Sequence, residues 1–345
     1  MKPTRYTMLF GCLLLLAALS ACTMVDEDRS DCDDEVKVDY DMQLVTNINI
    51  ELNKKLPMAT DSALHVALRE YLSDIFSDYA HDVSLSFFDT QGDSTLLHSE
   101  ERVMDANERS FSLNLPRHQY MHLALANMAG NDVVGYEGNY YCRTARLWQS
   151  RGDSINPHKT GIFTARQPMD ILEGQNQSFK VHLYMANCAA ALVLDPKGTD
   201  VSKISVVSTG FASRFDIADS TYFFATYSPI VRADRIEAKG TSALCYCTVN
   251  FPSKDPKAAS RTEIQSDDAI VGKSDEALWE FRVYVTNPDG KITESILSVK
   301  EQLPAGYLKI IRAGLDDGKV ETEDQTVGVS VTLDWTPGIN QEIPL

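Results

Sequence analysis

From Val36 the chain alternates with a period of two: Val36, Val38, Tyr40, Met42 and Leu44 are apolar, and Lys37, Asp39, Asp41 and Gln43 are polar. Successive side chains on a strand face opposite sides of a sheet, so this pattern predicts a half-buried antiparallel strand. The same phase resumes at Ile48, Ile50 and Leu52 against Asn49 and Glu51, which carries the predicted strand from Val36 to Leu52. The period then changes. Leu64, Leu68, Leu72, Ile75, Phe76 and Tyr79 lie on one face of a predicted helix, with Thr60, Asp61 and Ser62 as candidate N-caps.

Beyond the helix, short strands dominate. Val83 to Phe88 runs into the turn residues Gln91-Gly92-Asp93-Ser94. Phe111, Leu113 and Leu115 alternate before Pro116, and Met121, Leu123 and Leu125 before Gly130-Asn131-Asp132. The polar run Glu173 to Ser178 marks a domain seam, followed by Phe179 to Met185, Ala190 to Leu194 and Ile204 to Val207. Phe281 to Thr286 meets the turn Asn287-Pro288-Asp289-Gly290 and leaves through Ile292, which predicts a hairpin. Tyr307 to Arg312 and the alternating Val327 to Trp335 complete the set. Many short strands broken by turns predict a mainly β protein built as two β-sandwich domains in series, residues 36–174 and 175–345, with one helix in the first.

Residues 1–21 read as a leader. Lys2 and Arg5 precede an apolar run from Met8 to Leu19 that is too short to span a bilayer comfortably. Leu19-Ser20-Ala21-Cys22 resembles the lipobox of bacterial lipoproteins, in which the cysteine becomes the acylated first residue. Cys22 is therefore the expected membrane anchor. The acidic segment through Glu35 is too poor in apolar groups to bury itself, so residues 22–35 are expected to be a lipidated, solvated tether.

Loss of Lys2 and Arg5 with the leader leaves 30 basic against 49 acidic side chains, a formal charge of −19. Such a surface repels phosphate backbones and speaks against nucleic acid as a partner. After lipidation five cysteines remain, Cys32, Cys142, Cys188, Cys245 and Cys247, an odd number that cannot all pair within one chain. Cys245 and Cys247 share a face of a predicted strand. A bond between Cys32 and Cys142 is the expected disulfide, stapling the start of the first strand to a later strand of the same domain.

The chain carries no CxxC pair, nucleophile elbow, phosphate loop or dinucleotide fingerprint. All seven histidines lie at or before His182, and His118 and His122 have metal-like spacing but straddle a turn and a strand. The 49 acids leave a glycosidase carboxylate pair open, although most sit in turns and strand edges where solvation is the default explanation. Arg151-Gly152-Asp153 spells the tripeptide that integrins read, and Trp148 beside it is either an exposed sugar platform or an anchor at a sandwich edge. No catalysis, cofactor or metal is expected.

The order of segments carries a resemblance. A lipidated cysteine, an acidic tether with a second cysteine, an alternating strand and a helix lead into Val83-Ser84-Leu85-Ser86-Phe87-Phe88-Asp89. Leu115-Pro116, Tyr120 to Gly130, Phe281 to Gly290, Leu303-Pro304-Ala305-Gly306-Tyr307-Leu308 and Trp335-Thr336-Pro337-Gly338 follow. This order resembles the FimB-type fimbrial anchor lipoproteins of the fimbrillin superfamily, the basal subunits of type V pili. The resemblance implies a transthyretin-like sandwich in each domain, no catalysis, and a lipid on Cys22 that fixes the base of a fimbria in the outer membrane. Its implied partner is a fimbrial stalk subunit, engaged by β-strand addition. A first strand that stays joined to its lipid cannot be shed, so the expected donor is the carboxy-terminal tail, with Ile339, Ile343 and Leu345 entering a partner's pockets; the alternative is that Ile339 to Leu345 merely closes the protein's own second sandwich. The alternatives are a surface adhesin for glycan or host matrix, and a stalk or tip pilin.

Overall fold

The computed structural model describes residues 35–335, apart from 74, 76–78, 106–107, 173–176, 199–203, 256–276, 288–289 and 317. Cys22, Cys32, Phe76, Ile339, Ile343 and Leu345 lie outside the described residues.

The first half contains β1 (Val36–Val45), α1 (Ile48–Lys55), α2 (Met58–Ser73), β2 (Asp82–Asp89), β3 (Leu96–Val103), β4 (Ser110–Leu115) and β5 (Gln119–Ala126). It continues with β6 (Val134–Glu137), β7 (Arg146–Gln149), β8 (Phe163–Asp170) and β9 (Gln177–Met185). The second half runs through β10 (Cys188–Asp195), β11 (Ile204–Thr209), β12 (Arg214–Asp216), β13 (Thr221–Phe223), β14 (Val231–Arg232), β15 (Asp234–Ile236) and β16 (Leu244–Asn250). It closes with β17 (Trp279–Thr286), β18 (Ile292–Val299), β19 (Leu308–Asp316), β20 (Lys319–Glu321) and β21 (Val327–Trp335).

The predicted first strand is cut short. β1 stops at Val45, and Ile48 to Lys55 forms a helix rather than a continuation of the strand. Ile48 and Leu52 are buried while Ile50 is 65% exposed, the signature of a four-residue repeat on a helix face. Ile48 and Leu52 fit either period. Ile50 decides between them, because a strand would have buried it with the others. Among its described residues the domain therefore holds two helices, where the sequence predicted one. In α2, Leu64, Leu68 and Leu72 are buried as predicted, but the helix begins at Met58 and is kinked at Asp61.

A seven-stranded sheet in the order β3-β2-β5-β8-β9-β1-β4 forms the first half. β1 is antiparallel to β4 and parallel to β9, so the sheet is mixed rather than wholly antiparallel around it. β9, which follows the polar seam and was counted with the second domain, is built into this first sheet. Two five-stranded sheets, β15-β16-β10-β19-β20 and β14-β11-β17-β18-β21, form the sandwich of the second half. A four-stranded sheet, β13-β12-β7-β6, takes two strands from each half and covers part of the first sheet's outer face.

The sheet containing β10 is buried on both faces. Ala189, Ala191, Val193, Cys245, Cys247 and Val249 pack toward the helices and the first sheet. Cys188, Ala190, Leu192, Leu194, Leu244 and Tyr246 pack into the second sandwich. A strand with no wet face has no reason to alternate, which explains the continuous apolar run from Cys188 to Leu194. Cys245 and Cys247 share a face, as expected from their spacing. Across this joint Arg312 of β19 meets Asp61 of α2 at 2.7 Å, and Tyr71 Oη donates to Asp234 at 2.8 Å. The guanidinium of Arg312 holds the Asp61 carboxyl below its usual range.

Candidate functional site

The candidate site is the seat of β1, the first strand among the described residues. Its alternation buries Val38, Tyr40 and Met42 in the core beneath the first sheet. Both of its edges are occupied, from Val36↔Leu115 to Asp41↔Ser110 on the β4 side and from Val38↔Gln177 to Val45↔Tyr184 on the β9 side. On the outer face, Ser112 and Ser110 donate to Asp39 and Asp41, each at 3.1 Å.

Tyr40 is the central pin of this strand. Its hydroxyl lies 2.8 Å from His122 Nε2, and His122 Nδ1 lies 3.1 Å from the Ser86 carbonyl oxygen. A carbonyl oxygen only accepts, so Nδ1 carries the proton and Nε2 accepts from Tyr40. The Tyr40 ring stacks on Phe111 of β4 at 5.0 Å, and His122 stacks on Phe87 of β2 at 4.5 Å. Burial lowers the His122 pKa to about 4, which keeps the ring neutral and able to accept. It also raises the Tyr40 hydroxyl far above its ordinary value, so that group remains a donor.

The end of β1 is tied to the second half. Asn47 N–H donates to the Gly306 carbonyl at 3.0 Å, while Gly306 N–H donates to the Asn187 carbonyl at 2.8 Å. Gly306 has φ +75, the left-handed region that favours glycine. The segment Leu303 to Leu308 thus serves as a backbone clamp between β1 and β10. A second buried joint lies close by. The Gln149 amide is 2.6 Å from His158 Nε2, and Asn187 Nδ2 is 2.9 Å from the Thr160 carbonyl oxygen.

The remaining predicted positions scatter. His118 and His122 do not converge, since His118 Nε2 meets Asp89 at 2.9 Å while His122 faces Tyr40. Among the described residues no three His, Cys, Asp or Glu side chains gather as a metal site. Trp148 is 44% exposed on the four-stranded sheet, with its indole lying over Gly135, and Arg151-Gly152-Asp153 is an exposed bend after β7. Cys142 is buried in a short 3-10 turn. β21 pairs with β18 and forms the end of its sheet, and its Val329 and Val331 are partly exposed. Sequence reasoning passed over the Tyr40–His122 contact and the Gly306 clamp. Their partners are 82 and about 260 positions apart, and no local pattern reports such distances.

The fold is that of a mainly β chain built of several packed sheets, as in solved bacterial adhesins. Residues 56–340 match the fimbrillin-A associated anchor proteins Mfa1 and Mfa2, and the chain belongs to that family. It is similar to a candidate adhesin from Bacteroides ovatus at 11% identity, with 88% of this chain and 97% of that chain covered and a TM-score of 0.50. It is also similar to the fimbrial anchor protein Mfa2 from Porphyromonas gingivalis at 10% identity, with 87% and 98% covered and a TM-score of 0.45. The tip fimbrial protein Mfa3 from the same organism, with a C-terminal truncation, aligns at 10% identity over 87% and 100%, with a TM-score of 0.39. No curated protein sequence matches.

Proposed function

We propose that this protein is the non-catalytic base of a fimbria, held in the outer membrane by a lipid on Cys22 and ending the polymer's assembly at the cell surface. The observation that carries this reading is the seat of β1. The strand is paired on both edges, pinned by Tyr40 and clamped at Asn47. An assembly route that vacates the first strand's groove would have to break all of these contacts together. A retained strand keeps the folded body covalently joined to its lipid. Residues 23–35 lie between the two, and when extended they reach at most about 45 Å.

With that groove filled from within, the stalk subunit engages elsewhere. The tail after β21 continues from a sheet edge, so Ile339, Ile343 and Leu345 are the proposed donor residues for a partner's sheet. The test is purification of the native protein from outer membranes, with mass spectrometry of its amino terminus and its partners. An acylated Cys22, an intact β1 peptide and a co-purifying fimbrial subunit are expected. An amino terminus lying beyond β1 would overturn the reading.

A further inference from the structure

A cleft of about 470 Å³ opens between the outer face of the first sheet and the inner face of the four-stranded sheet. Small-molecule sites occupy roughly 300–1,000 Å³ and combine apolar walls with a few placed polar groups. The cleft has that make-up. The register pair Thr164↔Tyr184 puts these two residues on one face, and the two-residue repeat adds Arg166 and His182 to it. Opposite them stands the stacked pair Phe215 and Tyr222, with ring centroids 4.5 Å apart. Tyr222 Oη donates to the Ala186 carbonyl at 2.7 Å, which fixes the orientation of its ring.

The charge of the lining is the unusual feature. The chain has a formal charge of −17, yet among the described residues no aspartate or glutamate lines this cleft, while Arg166 and His182 do. Arg166 lies beside Cys142, whose thiol burial pushes to a higher pKa, so the guanidinium faces a neutral neighbour. An arginine fork without a carboxylate partner among the described residues matches a planar anion, and Tyr184, at 60% exposure, offers an aromatic face to an apolar ring surface.

We infer that this cleft binds an acidic saccharide, with the sugar carboxylate on Arg166, its ring against Tyr184, and His182 in reach of its hydroxyls. A sulfate or phosphate alone would use the arginine but leave the aromatic wall empty. This inference adds a recognition site to the surface of the protein and is independent of whether the protein anchors a fimbria.

The experiment uses the full chain in detergent and calorimetric titration with digalacturonic acid and with sialyllactose. The methyl ester of the first and lactose serve as the uncharged counterparts. At least one acid should bind, and at least tenfold more tightly than its uncharged counterpart. Arg166→Gln should remove that preference, and Tyr184→Ala should weaken acid and counterpart alike, both without a change in the thermal midpoint. The inference is overturned if neither acid binds at millimolar concentration, if acid and counterpart bind equally, or if Arg166→Gln binds as the parent does.

Discussion

Tyr40 on β1 and His122 on β5 share a buried hydrogen bond of 2.8 Å, although β8 and β9 lie between their strands in the sheet. The contact is therefore made beneath the sheet rather than along it. Tyr40→Phe leaves His122 Nε2 buried without a donor, a defect that costs about 1–3 kcal/mol. A denaturant titration should show a lower midpoint with an unchanged slope. The pH dependence has a definite sign. The His122 pKa falls from 6.5 in the unfolded chain to about 4 when folded, so its contribution is fully present above pH 6.5 and is lost as the pH falls toward 4. The loss amounts to about 3 kcal/mol. His122→Gln should flatten the stability profile between pH 6.5 and 4 relative to the parent, and parallel profiles would argue against it.

Gly306 is the backbone link between the halves. An alanine at φ +75 costs roughly 1–2 kcal/mol, and it falls on a residue that both donates to Asn187 and accepts from Asn47. Gly306→Ala should lower the thermal midpoint in one transition seen by probes in both halves. A second, separate transition would show that the halves unfold independently.

The proposed lipid on Cys22 predicts where the protein is found. Each buried methylene contributes about 0.8 kcal/mol, and stable anchoring takes more than one acyl chain. Cys22→Ala should move the protein out of the membrane fraction. Retention after a high-salt wash would remove lipid as the anchor.

The proposed Cys32–Cys142 bond closes a loop of roughly 110 residues, which contributes about 4 to 5 kcal/mol in the chain-entropy model. Non-reducing peptide mapping of protein taken from the envelope should recover the two peptides joined. Alkylation of both thiols without reduction would mean that the bond does not form.

The tail is tested by truncation. Removing Gln341 to Leu345 should leave folding and membrane anchoring intact while fimbriae are shed into the medium. Attached fimbriae at normal yield would place the contact at another sheet edge.

Much of this architecture was written in short-range pattern. β1 and β4 announce themselves because one face of each is wetter than the other, so period two survives in the residue order. The buried stripe of α2 is legible for the same reason. The lipobox-like cysteine, the acidic tether and the lack of a catalytic motif are likewise properties of the chain itself. Tertiary packing decided the rest. Ile48 and Leu52 satisfy two periods at once, and only the exposure of Ile50 reveals a helix. β10 loses its alternation because both faces are covered, and β9 crosses the apparent seam to pair with β1 and β8. The pairing of Tyr40 with His122, the clamp at Gly306 and the acid-free cleft around Arg166 join residues far apart in sequence. Such groups meet only after the backbone has closed its sheets, since short-range periodicity records which face of an element is dry but not which other element dries it.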